Sequence, residues 1–112
     1  METTSEVGLE VIGPEHNVAL ITIHRAAKRN ALSDALIDEL HACFANLSAN
    51  IRAAVITGEG EHFSAGLDLS ELRERDAAEG IFHSRRWHAA FEEIQFGKVP
   101  VIAALKGAVV GG

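Results

Sequence analysis

Apolar residues alternate with others at Leu9 and Val11, and again at Val18, Leu20 and Thr22, on either side of Gly13-Pro14-Glu15-His16. A period of two with a turn between predicts two short strands, so the chain opens with a hairpin. From Ser33 the spacing changes, and Leu36, Ile37, Leu40, Cys43, Phe44 and Leu47 recur as one apolar face of a helix. Ser33 is placed to cap that helix, and Asp34 suits its positive end. Ala53-Ala54-Val55-Ile56-Thr57 is a nearly continuous apolar run closed by Gly58, which predicts a strand covered on both faces. A loop through Gly58, Gly60 and Gly66 follows. Ser70 to Arg75 reads as a short helix, and Ile81, Trp87, Phe91 and Ile94 mark a longer one. Pro100 to Leu105 reads as another buried strand, followed by the small, flexible run Gly107 to Gly112. Strands alternating with helices predict an α/β layered architecture, a single domain over residues 1–112 with no repeat, linker or low-complexity tract.

Composition narrows what such a domain can do. Hydrophobic residues make up 47% and charged residues 23%, an ordinary globular mixture. Lys and Arg number 10 against 16 Asp and Glu, and the formal charge of -6 opposes binding to nucleic acid or anionic lipid. Cys43 is the single cysteine, which excludes an intrachain disulfide and a Cys-rich metal site and fits a reducing compartment. Met1 to Glu6 lacks the basic and apolar regions of a secretory signal and the Arg of a transit peptide, so a cytoplasmic location is expected. The most apolar stretch, Val99 to Gly112, is broken by Pro100 and Lys106 and falls short of the ~20 residues that span a bilayer.

Two features could carry chemistry. Glu61 to Leu69 is a tight turn between a buried strand and a helix start, with Gly66 as its pivot. Without a side chain there, the following amides can approach a ligand closely, and the helix start adds partial positive charge. The terminal glycine run, again after a buried strand, could expose a second free amide, and two such amides make an oxyanion hole. On spacing alone, a plain connecting loop is the simpler account of each.

The segments Val18 to Arg25, Lys28 to Ser33, Ala54 to Gly58, Phe63 to Leu69, Lys98 to Ala104 and Gly107 to Gly112 resemble, in order and spacing, the enoyl-CoA hydratase/isomerase (crotonase) family. The likeness covers nearly the whole chain after about Val7, with Ala26 where the family usually has proline. It implies a crotonase-like (ClpP/crotonase) spiral of ββα units, incomplete in this chain, that assembles as homotrimers or pairs of trimers. It also implies an acyl-CoA thioester as substrate, with coenzyme A carried by that substrate and neither a separate cofactor nor a metal. Leu67 and Gly112 match the positions whose backbone N–H groups form the oxyanion hole. Ala65 matches the stretch whose carbonyl meets the adenine, and Lys28 with Ala31 matches the segment along the CoA nucleotide. Gly66, Asp68 and Leu69 are read with them as substrate-binding. Family hydratases carry a pair of glutamates as acid and base beyond the glycine run, so the natural polypeptide is expected to continue past Gly112.

Competing readings are weaker. His24, His41, His62, His83 and His88 lack paired ligand spacing and are read as surface or helix-face residues. Trp87 and Phe91 read as core packing on one helix face, and Cys43 as a buried, inert thiol. Ser64 fails the nucleophile-elbow pattern because His62 stands where the first glycine belongs, and Phe63 breaks the dinucleotide pattern begun by Gly58 and Gly60. The reading is therefore an acyl-CoA enzyme that stabilises a thioester enolate, enoyl-CoA hydratase or isomerase first among its reactions. The alternative is a non-catalytic crotonase-like acyl-CoA-binding protein or subunit, and a serine hydrolase using Ser64 comes last.

Overall fold

The computed structural model describes residues 5–68 and 77–111. The expected helix over Ser70 to Arg75, together with Leu69 and Gly112, lies outside the described residues.

Strands β1 (Val7–Ile12) and β2 (Val18–Ile23) form the expected antiparallel hairpin, with Val7 opposite Ile23 and Ile12 opposite Val18. A 3-10 turn at Ala26–Lys28 leads into helix α1 (Asp34–Ala45), which completes a ββα unit. The Ser33 hydroxyl accepts from the Leu36 N–H at 3.1 Å, the cap expected for an extended residue before a helix. Strand β3 (Ala53–Gly58) returns parallel to β2, helix α2 (Ala77–Phe96) follows, and β4 (Val101–Ala103) lies parallel to β3. Strand order in the sheet is β1-β2-β3-β4.

The core lies between the sheet and α1. Ala19, Ile21 and Ile23 of β2 and Ala54 and Ile56 of β3 point toward it, and Leu36, Ile37, Leu40 and Phe44 meet them from α1. Each fully buried Ile or Leu contributes about 1.5–3 kcal/mol relative to exposure, so this layer anchors every loop that leaves the sheet. Helix α2 packs on α1 through Ala90, which is fully buried in the core, and half-buried Trp87, Phe91 and Ile94. Trp87 Nε1 donates to Asp34 Oδ1 at 2.7 Å, and Arg86 pairs with Asp38. His83 Nδ1 stands 3.0 Å from Asp34 Oδ1, close enough for attraction but without hydrogen-bond alignment.

Two expectations change. Strand β3 alternates between buried and half-buried residues, because α1 covers one face more completely than anything covers the other. Within the stretch from Pro100 to Leu105 only Val101–Ala103 forms a strand, and it is an edge strand and not a buried one. Ile102 is 61% exposed, and among the described residues nothing pairs with the outer edge of β4.

Candidate active site

The geometry of the loops above the sheet starts from Asn30. It follows the 3-10 turn with φ 56, a left-handed conformation that asparagine tolerates better than most residues. Its side chain is fully buried, and every polar atom on it is used. Oδ1 accepts from the Arg25 N–H at 2.9 Å, while Nδ2 donates to the carbonyls of Glu59 at 2.9 Å and His62 at 2.8 Å. The backbone carbonyl of Asn30 accepts from Ser64 Oγ at 2.9 Å. One side chain thus ties the 3-10 turn to the loop that leaves β3.

That loop forms the first arm of the site. Ser64 Oγ also accepts from the Gly66 N–H at 3.1 Å, the Ala65 N–H donates to Arg29 O at 2.9 Å, and Gly66 O accepts from the Leu32 N–H at 2.6 Å. The Asp68 N–H donates to Leu32 O at 2.8 Å, which closes a one-rung parallel bridge between Leu32 and Leu67. The N–H groups on both sides of Leu67 are therefore taken, whereas that of Leu67 has no acceptor among the described residues. Gly66 reaches this arrangement at φ 87, and an added Cβ there would lie 3.1 Å from Val110 O. Both facts disfavour larger residues.

The second arm is the glycine run. The Ser64 N–H donates to Ala108 O and the Val110 N–H to Ser64 O, each at 3.1 Å, which lays the run beside the first arm. Gly111 arrives with φ 78 against Gly66, close enough that a Cβ at 111 would sit 3.4 Å from Gly66 Cα. Beside the two arms opens a hollow of about 510 Å³ walled by Leu32, Phe63, Phe91, Ile94, Val109 and Val110. Its lining is predominantly apolar and its size falls within the range of small-molecule sites.

Charge around the first arm is concentrated on Arg25, whose side chain is 11% exposed. Nε reaches Glu6 Oε2 at 2.8 Å, Nη2 reaches Asp68 Oδ2 at 3.0 Å, and Nη1 donates to Ala31 O at 2.7 Å. A planar guanidinium can serve three acceptors in fixed directions, which an ammonium cannot. Asp68, 5% exposed, is a buried carboxylate compensated by this cation, with Lys28 Nζ a further 3.9 Å away on the exposed side.

Of the residues selected from sequence, Leu67, Gly66, Ala65 and Asp68 lie on one turn, and Lys28 and Ala31 on the segment bonded to it. Lys28 is exposed, as a contact to a ligand requires. Ala31 is buried and both its backbone groups are bonded within the chain. The carboxylate of Asp68 faces Arg25. Gly112 and Leu69 lie outside the described residues, so the second donor is approached only as far as Gly111. Asn30, Arg25 and His62 were not singled out from sequence; the polar triplet Lys28-Arg29-Asn30 before an apolar helix was the available signal for Asn30. Ser64 is 3% exposed and its hydroxyl is bonded twice, which leaves it poorly placed as a nucleophile. Phe91 lines the hollow as well as packing on Trp87, with ring centroids 6.1 Å apart.

An amide at a glycine turn that has no acceptor among the described residues, flanked by bonded ones and with an apolar hollow beside the neighbouring Ser64 and Gly111, can hold an anionic or strongly polarised oxygen. The chain belongs to the enoyl-CoA hydratase/isomerase family, whose model matches residues 13–112. It is 55% identical to a candidate enoyl-CoA hydratase of Rhodopseudomonas palustris, with a TM-score of 0.88 over 96% of this chain and 40% of that crystal structure. Among curated relatives it is 34% identical to the 2,3-dehydroadipyl-CoA hydratase of Escherichia coli, over 90% of this chain and 40% of that protein. It is 31% identical to the mitochondrial Delta(3,5)-Delta(2,4)-dienoyl-CoA isomerase of Mus musculus, over 93% and 36%. The chain thus spans about two fifths of the length of these relatives, and its fold is the corresponding part of the crotonase-like α/β architecture.

Proposed function

We propose that the protein acts on acyl-CoA thioesters as an enoyl-CoA hydratase or isomerase, with the N–H groups of Leu67 and Gly112 donating to the thioester oxygen. The observation that carries this is the Leu67 N–H, which has no acceptor among the described residues while its neighbours on both sides are bonded. Donors fixed before substrate arrives stabilise charge that appears only as an enolate forms, and they do so without reorganising at the moment of reaction. The apolar hollow accommodates the acyl chain, and Lys28 and the Ala65 carbonyl lie toward the CoA nucleotide. Relatives with both hydratase and isomerase names support proton chemistry next to the carbonyl and leave the placement of acid and base to other residues. The same reading includes a trimeric or hexameric assembly in the cytoplasm, with CoA supplied by the substrate.

The test is to compare Leu67→Ala with Leu67→Pro in the natural polypeptide. Alanine keeps the N–H and proline deletes it. Loss of one such donor lowers turnover by about 10²- to 10³-fold, equivalent to roughly 3–4 kcal/mol of transition-state stabilisation. Turnover of crotonyl-CoA and longer enoyl-CoAs is expected to collapse in the proline variant alone, with CoA affinity by calorimetry changing much less and melting confirming the fold. A folded Leu67→Pro protein with wild-type turnover would remove Leu67 from the site. Tight acyl-CoA binding without turnover of any thioester by the wild type would favour the non-catalytic alternative.

A further inference from the structure

The second arm contains a substitution in its hydrogen bonding. In a parallel ladder the rungs are evenly spaced, so the pair formed by Ser64 with Ala108 and Val110 should continue with the Ala108 N–H donating to His62 O. It does not. The carbonyl of His62 is turned to Asn30 Nδ2 at 2.8 Å, and the next rung slips by one residue, the Phe63 N–H meeting Lys106 O at 2.8 Å. The slip falls at Gly107, with φ 55, where a Cβ would stand 2.2 Å from Glu61 O and 2.6 Å from His62 Nδ1. The Ala108 N–H donates instead to the imidazole, with 2.9 Å between N and Nδ1. Nδ1 is thus the acceptor nitrogen of the ring in this contact.

We propose that His62 is a positioning residue of this site, its Nδ1 replacing the ladder rung that Asn30 diverts and thereby holding Ala108 to Gly111 in register beside Gly66. The diversion and the replacement are linked. Asn30 needs the His62 carbonyl in order to fix the first arm, and the imidazole supplies the acceptor that the second arm would otherwise lose. A half-buried N–H left without a partner would loosen the run just before the proposed second donor. The structural part of this inference stands on the hydrogen bonds alone, and its catalytic consequence rests on the oxyanion reading above.

Two variants of the natural polypeptide separate the possibilities. His62→Asn places Oδ1 near the position of Nδ1 and can still accept from Ala108, whereas His62→Leu keeps bulk and removes the acceptor. Amide exchange over residues 106–111, followed by mass spectrometry without any substrate, is expected to quicken about tenfold in His62→Leu and to stay near wild type in His62→Asn, the scale of one lost hydrogen bond. With an enoyl-CoA substrate, kcat falls about tenfold in His62→Leu with KM little changed, and the asparagine variant recovers most of it. Exchange unchanged in His62→Leu, or equally fast in both variants, overturns the role of His62 as the acceptor. Exchange that follows the expected pattern while kcat of His62→Leu stays at the wild-type value overturns the catalytic consequence. A wild-type protein without turnover on any acyl-CoA, its exchange pattern intact, overturns the oxyanion reading and leaves the His62 bond supported.

Discussion

Replacing Asn30 by Asp changes one NH₂ group to an oxygen and leaves volume, shape and backbone preference almost untouched. The wild-type Nδ2 donates to two carbonyls at 2.9 and 2.8 Å in a position that water does not reach. In the variant both carbonyls lose their donor and face a carboxylate oxygen at those distances. An unsatisfied buried acceptor costs about 1–3 kcal/mol, and because both bonds are only part-buried the pair together predicts a loss of about 1–3 kcal/mol, still a sizeable fraction of the 5–15 kcal/mol that typically holds a domain together. The bond from the Arg25 N–H survives, since Oδ1 is retained. Burial next to two carbonyls also raises the pKa of the new carboxyl above its unfolded value, because the neutral acid can donate to one of them. The sign follows. A raised folded-state pKa means that the native state binds the proton more tightly, so the deficit is fullest above that pKa and narrows as pH falls toward the unfolded carboxylate range. Equilibrium urea unfolding of wild type and variant at equal concentration, at pH 8 and pH 5, gives the difference directly. A variant as stable as wild type at pH 8, or a deficit that does not shrink at pH 5, would refute the account of Asn30 as the donor that organises the loops.

Removing the guanidinium by Arg25→Met takes the main cation from the buried carboxylate of Asp68, and breaking such a pair costs about 3–5 kcal/mol. The lower end of that range is expected by thermal and denaturant melting, since the Lys28 ammonium remains 3.9 Å away, and Arg25→Lys should recover little because it cannot reach Glu6, Asp68 and Ala31 together. A loss under 1 kcal/mol would show that the network is incidental. Burial, reinforced by the neighbouring Glu39 charge, pushes the Cys43 thiol above the usual cysteine range. At pH 8 less thiolate is present than on a free cysteine, so iodoacetamide should alkylate Cys43 slowly in the native protein and rapidly once it is unfolded, with an equal native rate counting against the assignment.

The elements were legible from sequence wherever one short-range pattern decided them. Ser33, Leu36, Ile37, Leu40 and Phe44 specify both the start and the buried face of α1, because capping and the helical period act within a few residues. The hairpin is specified in the same local way. Strand β4 misled for a related reason: Pro100 to Leu105 has the apolar run of a buried strand, but burial depends on what lies across it, which no local pattern encodes. Resemblance located the Gly66 turn, since glycine is demanded there both by φ and by the approach of Val110. The clamps were not visible in the same way. Arg25 and Asp68 are 43 residues apart, and Asn30 meets His62 only after β3 has returned beside β2. Nothing in the spacing of His62 distinguishes an acceptor for Ala108 from a surface imidazole.

The one-rung bridges Leu32 to Leu67 and Ser64 to Val109 bear on how such a protein can diverge. Both fasten main chain to main chain, and the proposed donors are themselves peptide groups, so the identity of residue 67 is only loosely constrained by what its amide does. Substitutions in the walls of the hollow, at Phe91, Ile94 or Val109, can reshape it while the amides stay in place. On the proposed function, selection for a new acyl group can therefore proceed through side chains alone, one at a time, without passing through forms that lack the proposed donors. The purifying constraint falls instead on Gly66, Asn30 and Arg25, whose replacement would move the backbone itself.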